Sequence, residues 1–131
     1  MKKTTLLNQP ISAVIAGVGH TDTLVVADAG LPIPPEPQRI DLALSQGVPA
    51  FLDTVQTILT EMQIERAIVA AELIEVNPDF FSRLKSRLGD TPVDAVSHEQ
   101  FKSLTGSARA VVRTGEFTPY ANVILVAGVV F

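Results

Sequence analysis

The chain has 131 residues, 47% of them hydrophobic and 18% charged, with 10 Lys and Arg against 14 Asp and Glu for a net charge of −4. This length predicts one domain spanning residues 1–131, with a real core and an apolar surplus that goes either to subunit contacts or to a well-filled interior. The scattered basic residues give no phosphate-binding face, which argues against nucleic acid, and the absence of cysteine excludes disulfides and thiolate metal sites and fits a reducing, cytoplasmic setting.

Lys2 and Lys3 ahead of an uncharged stretch imitate a secretion signal, but Asn8-Gln9-Pro10 interrupts the apolar run. Ile11, Val14, Ile15 and Val18 then recur at i, i+3, i+4 and i+7, the spacing of one helix face. Asn8 is the expected N-cap, Pro10 belongs to the first turn and Gly19 is the expected stop. Residues 24–27, Leu-Val-Val-Ala, predict a buried strand.

Residues 30–38 carry four prolines, whose fixed φ angles make a stiff loop. A short strand is expected near 39–44, and Phe51, Val55, Ile58, Leu59 and Met62 mark a longer helix. Residues 67–71 predict a strand, Asn77-Pro78 opens a helix that Gly89 closes, and 93–96 predict another strand. Ser97-His98-Glu99-Gln100 matches a capping box at the start of the next helix. Residues 110–112 and 123–126 complete the strands, the last expected to run on through Val129-Val130-Phe131 with a packed chain end. The alternation predicts an α/β fold in three layers, α/β/α, around a mixed, largely parallel sheet. The apolar C-terminal stretch falls short of the ~20 residues a membrane span needs.

The residues able to do chemistry are few. His20, one of two histidines, follows the first helix and precedes a strand that ends in Asp28. It reads either as a polar stop, its cation suited to the negative end of the helix dipole, or as a group that moves protons. Asp28 closes an apolar strand, where α/β sheets gather ligands, or it caps the following turn. His98 stands at the first position of a helix, either as an exposed first-turn histidine or as a site residue at a strand's carboxyl edge, with Lys102 one turn on, a weaker candidate. The helix dipoles predict that His20 is the more basic imidazole. Tyr120-Ala121-Asn122, with the only tyrosine, reads either as a turn with an edge-packed ring or as a sugar site, where the ring stacks on a sugar face while hydroxyl and amide meet its hydroxyls. No G-x-G-x-x-G, Walker A, G-x-S-x-G or metal-ligand spacing occurs, so no metal and no cofactor is expected.

Taken together, Gly19-His20-Thr21-Asp22, residues 28–34, residues 39–43, residues 97–102 and Gly115-Glu116 with Thr118-Pro119-Tyr120-Ala121-Asn122 closely resemble the D-ribose pyranase family (RbsD, within the RbsD/FucU superfamily) over essentially the whole chain. The resemblance implies an isomerase that interconverts β-D-ribopyranose and β-D-ribofuranose in the cytoplasm, feeding ribokinase. It implies a homodecamer of two pentameric rings, a proton-donating His20, and sugar-binding residues at Asp28, His98, Tyr120, Ala121 and Asn122. A mutarotase for L-fucose or a related sugar, or a non-catalytic sugar-binding accessory of a transport system, are the alternatives.

Overall fold

Runs of branched apolar residues without an intervening charge make poor surface strands and good central ones, because only a sheet covered on both faces buries every side chain. In the computed structural model, which describes residues 1–131, six strands form one sheet and five helices surround it. In chain order the elements are α1 (Gln9–Gly17), β1 (Thr23–Ala27), β2 (Gln38–Asp41), α2 (Phe51–Leu59), β3 (Ile64–Ala70), α3 (Ala71–Val76), α4 (Pro78–Leu88), β4 (Val93–Val96), α5 (His98–Thr105), β5 (Ala110–Arg113) and β6 (Val123–Ala127).

The strand order is β2-β5-β1-β6-β3-β4. β1 pairs parallel with β5, β5 with β2, and β3 with β4, whereas β6 runs antiparallel to both its neighbours, β1 and β3. Five strands therefore share one direction and β6 opposes them, which is the mixed, largely parallel sheet expected.

Alternation along the strands divides the core into two layers. Leu24 and Val26 of β1 face the larger one, with Ile11 of α1, Phe51 and Val55 of α2, Leu73 of α3 and Leu84 of α4. Val25 and Ala27 face the smaller one, with Phe101 of α5 and Ile124 of β6. All of these side chains are essentially inaccessible to solvent. The helices take their start signals from sequence: Asn8 accepts from the Ile11 amide, Asn77 from the Phe80 amide, and Ser97 with Gln100 forms the reciprocal capping box.

α1 ends at Gly17 with Val18 as its extended C-cap (φ −72°, ψ 137°), which leaves Gly19 just past the end, where the stop is expected. One helix is unanticipated and one expectation is corrected. The helix α3 follows β3 directly, in a stretch with no start signal in its sequence. The last strand ends at Ala127 instead of reaching the chain end, because its neighbours begin at Thr23 and Ile64 and beyond them only the Gly128 amide finds a partner, the Gln63 carbonyl. Val130 and Phe131 are fully exposed. No helix is long and apolar enough to cross a membrane.

Candidate functional site

Parallel strands collect their carboxyl ends at one edge of a sheet, and α/β proteins place ligands there. β1 delivers Asp28 to that edge and β4 delivers Ser97 and His98. The reversed β6 brings its amino end to the same edge, and with it Tyr120, Ala121 and Asn122. One antiparallel strand thus unites three segments that are remote in sequence.

Asp28 is locked in place. Its amide donates to Oδ1 of Asn122 (2.8 Å), Nδ2 of Asn122 donates to its Oδ2 (3.0 Å), and the Gly30 amide donates to its Oδ1 (2.9 Å). Asn122 is fully buried, so this reciprocal pair lies behind the site and fixes the carboxylate before any ligand arrives. Replacing Asn122 by Ala is expected to cost about 1–3 kcal/mol by stripping the Asp28 amide of its acceptor. Urea denaturation checks this, and an unchanged midpoint would show the pair to be dispensable.

The cavity at this edge has a volume of about 520 Å³, within the usual range for small-molecule sites. Asp28, His98 and Tyr120 line it, together with Arg113, Glu116 and Phe117. The His98 ring meets the Tyr120 ring edge to face at 5.1 Å and lies over Phe101 at 6.5 Å. Its Nδ1 is buried without a hydrogen-bond partner in the protein, a cost that a polar ligand can relieve. The His98 amide donates to both carboxylate oxygens of Glu72 (3.1 and 2.9 Å). Hydrogen bonds from Glu72's own amide and from His98 hold the Glu72 carboxyl below its ordinary range.

The loop over the cavity is fastened from below. Glu116 Oε1 accepts from the Thr118 amide and hydroxyl (3.2 and 2.8 Å), and its Oε2 accepts from the Phe51 amide (3.2 Å) at the start of α2, which lacks a side-chain cap of its own. Arg113 bonds the Ala29 carbonyl (3.0 Å) and the Asp41 carboxylate (3.1 Å). Gly115 admits no side chain, since a Cβ there would sit 2.4 Å from the Ser45 carbonyl oxygen and 2.5 Å from that of Val48. Gly115→Ala is expected to destabilise the fold by about 3 kcal/mol through that backbone clash, read as a lowered denaturation midpoint. A variant as stable as the parent would mean that the 45–48 turn yields freely.

Of the residues singled out in sequence, Asp28, His98 and Tyr120 share the cavity, while Ala121 and Asn122 are buried next to it. Lys102 pairs with Glu99 and does not line the cavity. His20 lies elsewhere. It precedes β1 whereas Asp28 follows it, and a five-residue strand alone separates the two by roughly 17 Å. His20 borders a second recess, of about 450 Å³, walled by Val18, Met62 and residues 127–131.

The turn Gly19–Asp22 presents the imidazole. The Asp22 amide donates to the Gly19 carbonyl (3.1 Å), the Asp22 carboxylate accepts from the Gly19 amide (2.8 Å), and Thr21 is left-handed at φ +68°. The Gly19 amide and then the Arg109 guanidinium hold the Asp22 carboxyl below its usual range. This corrects the helix-dipole expectation for His20: α1 ends before the turn, and the partner of the ring is the carboxylate of Glu65, at 2.7 Å from Nε2. Sequence reading passed over Glu65, although Glu65-Arg66 breaks the alternation of β3 with two consecutive exposed charges, the signature of a bulge. Arg113 and Glu72 were also passed over, being ordinary charges until the fold sets them beside the cavity.

The chain is similar to known proteins over its whole length. A model of the RbsD / FucU transport protein family matches residues 1–130. The chain is 59% identical to the D-ribose pyranase of Chloroflexus aggregans and 60% identical to that of Symbiobacterium thermophilum, covering all of each protein. The structure of Bacillus subtilis RbsD complexed with D-ribose superimposes with a TM-score of 0.96 at 48% identity, over the whole of both chains.

Proposed function

The chain belongs to the RbsD/FucU family, and on that basis we propose that it is a D-ribose pyranase, interconverting the β-pyranose and β-furanose forms of D-ribose. The observation that carries this reading is the strand-end cavity, where a pre-fixed carboxylate, an imidazole with a free buried nitrogen and a tyrosine converge. Such a set recognises a small polyhydroxylated ring: the carboxylate accepts from hydroxyls, and the aromatic corner covers an apolar face.

Exchanging a six-membered for a five-membered hemiacetal ring proceeds through the open aldehyde. The bond from C1 to the ring oxygen breaks as that oxygen gains a proton and the anomeric hydroxyl loses one. A different hydroxyl of the chain then adds to C1, giving up its proton while the carbonyl oxygen takes one back. Nothing is oxidised or hydrolysed, so the reaction calls for proton donors and acceptors and for no electron carrier. Asp28, His98 and Tyr120 hold the sugar, Asn122 acts by fixing Asp28, and the main chain at Ala121 completes the set. His20 supplies the proton to the ring oxygen, since an imidazole both gives and takes protons in aqueous acid–base catalysis.

Since His20 and Asp28 stand at opposite ends of one strand, they act together only when His20 of one protomer enters the cavity of another. That is a heterologous contact, the kind that closes into rings. The contact supports a ring oligomer of protomers that are each one domain over residues 1–131; its number, a decamer of two pentamers, and its cytoplasmic setting are what the family resemblance implies. The exposed apolar side chains flanking both half-sites, Phe117 beside the cavity and Val129, Val130 and Phe131 beside His20, suit burial in that contact.

Saturation-transfer NMR on equilibrated D-ribose and L-fucose tests the activity. Pyranose–furanose exchange of ribose faster than in buffer supports the assignment. Exchange of fucose alone points to a mutarotase, and binding without exchange to a sugar carrier.

A further inference from the structure

With His20 as the proton donor of the proposed isomerase, on which this inference rests, two features beside the imidazole still have no part in the reaction. Glu65 stands on β3, yet it is the extra residue of a β-bulge: Ile64 pairs with Ala127 and Arg66 with Val126, leaving Glu65 no partner on β6. Bulges re-aim a side chain and concentrate near functional sites. Opposite the bulge, Gly128 lies so close that a Cβ there would be 3.2 Å from the Glu65 Cβ and 3.2 Å from its amide nitrogen. The Gly128 amide also bonds the Gln63 carbonyl (3.0 Å), pinning the far side of the bulge. The result is a carboxylate whose Oε2 reaches Nε2 of His20 at 2.7 Å.

We infer that Glu65 is the positioning residue of the proton donor: it binds the Nε2–H of His20, fixes the ring's orientation and tautomer, and leaves Nδ1 as the atom that meets the sugar. An ionised carboxylate only accepts hydrogen bonds, so the nitrogen it holds must carry hydrogen in both charge states of the ring. In the charged ring both nitrogens are protonated and Nδ1–H gives its proton to the ring oxygen. In the neutral ring Nδ1 is bare and takes a proton back. Glu65 itself never changes protonation in this cycle.

The other charged groups near the recess are otherwise engaged. Glu61 is held by Lys2 and Thr4, Asp22 by Arg109 and the Gly19 amide, and Arg66 by Asp94. The carboxylate at Phe131 ends an exposed segment. Glu65 alone bonds the imidazole.

The experiment uses full-length protein labelled with 15N-histidine, in which only two imidazoles report and a His98→Gln variant assigns them. In the wild type the neutral His20 ring should show the Nε2–H tautomer. In Glu65→Gln, whose amide can donate as well as accept, the tautomer preference should weaken. Ribose exchange should drop roughly tenfold in kcat with KM little changed. Glu65→Asp, which keeps an acceptor-only carboxylate, should restore the tautomer preference and the exchange in part. A wild-type Nδ1–H tautomer, an unmoved tautomer preference in Glu65→Gln, or unchanged exchange despite a weakened preference each overturns the inference. Full exchange activity in His20→Ala instead overturns the catalytic reading of His20, while the tautomer measurement still reports on the pair.

Discussion

Replacing His20 by alanine is expected to slow pyranose–furanose exchange of ribose by about 10²–10⁴-fold while ribose still binds. The split between chemistry and binding follows from the architecture. The cavity proposed to hold the sugar is lined by Asp28, His98 and Tyr120, fastened by Asn122, Glu72 and Glu116, and none of those fastenings involves His20. Nor does the fold depend on it: the ring is half exposed, and the Gly19–Asp22 turn is closed by the Asp22 side chain and by main-chain bonds. Exchange is read by saturation transfer and binding by titration of the sugar resonances. A variant that exchanges ribose at the parental rate would remove His20 from the mechanism.

The second large effect is one of complementation. His20→Ala and Asp28→Ala should each be nearly inactive alone, yet mixed assemblies of the two should regain activity. If every site takes His20 from one protomer and Asp28 from its neighbour, random mixing of equal amounts makes about one site in four wild-type in both residues. The same sites, had both residues come from one chain, would contain at least one substitution each, and mixing would restore nothing. Co-expressed, differently tagged chains purified through both tags give the mixed oligomer, and its exchange rate per site should approach a quarter of the parental one. Mixed assemblies no more active than the two variants would refute the shared site.

How much of this was legible beforehand depended on the range of the interactions. Local signals served well: the Asn8, Asn77 and Ser97 caps and the uncharged strands appear where residue type alone dictates them. The helix α3 was invisible because its first turn has no cap of its own and follows β3 without a break. The end of β6 was misjudged because where a strand stops is decided by its neighbours, not by its own apolar residues. In the site, Asp28 and His98 could be placed at strand ends from pattern, and the grouping with Tyr120 came from resemblance. The reciprocal bonding of Asp28 and Asn122 spans most of the chain and depends on β6 lying beside β1, which no periodicity encodes. The surroundings of His20 were misread for a related reason: its partner comes from β3, through a bulge whose only trace in sequence is a pair of adjacent charges.

The reversed strand has a consequence for how such an enzyme can be tuned. β6 links Asn122 at the Asp28 edge to Ala127 and Gly128 at the His20 recess, and with β1 beside it forms a stiff, buried strut between the two proposed half-sites of one protomer. Interiors packed this way do not stretch, so the spacing between the half-sites within a chain is effectively constant. In the proposed ring, the gap a proton must cross is then set by the curvature of the assembly, by the angle at which one copy meets the next. Substitutions on the contacting faces, remote from any sugar atom, become the natural dial for turnover, and those inside the core become a dial for stability alone.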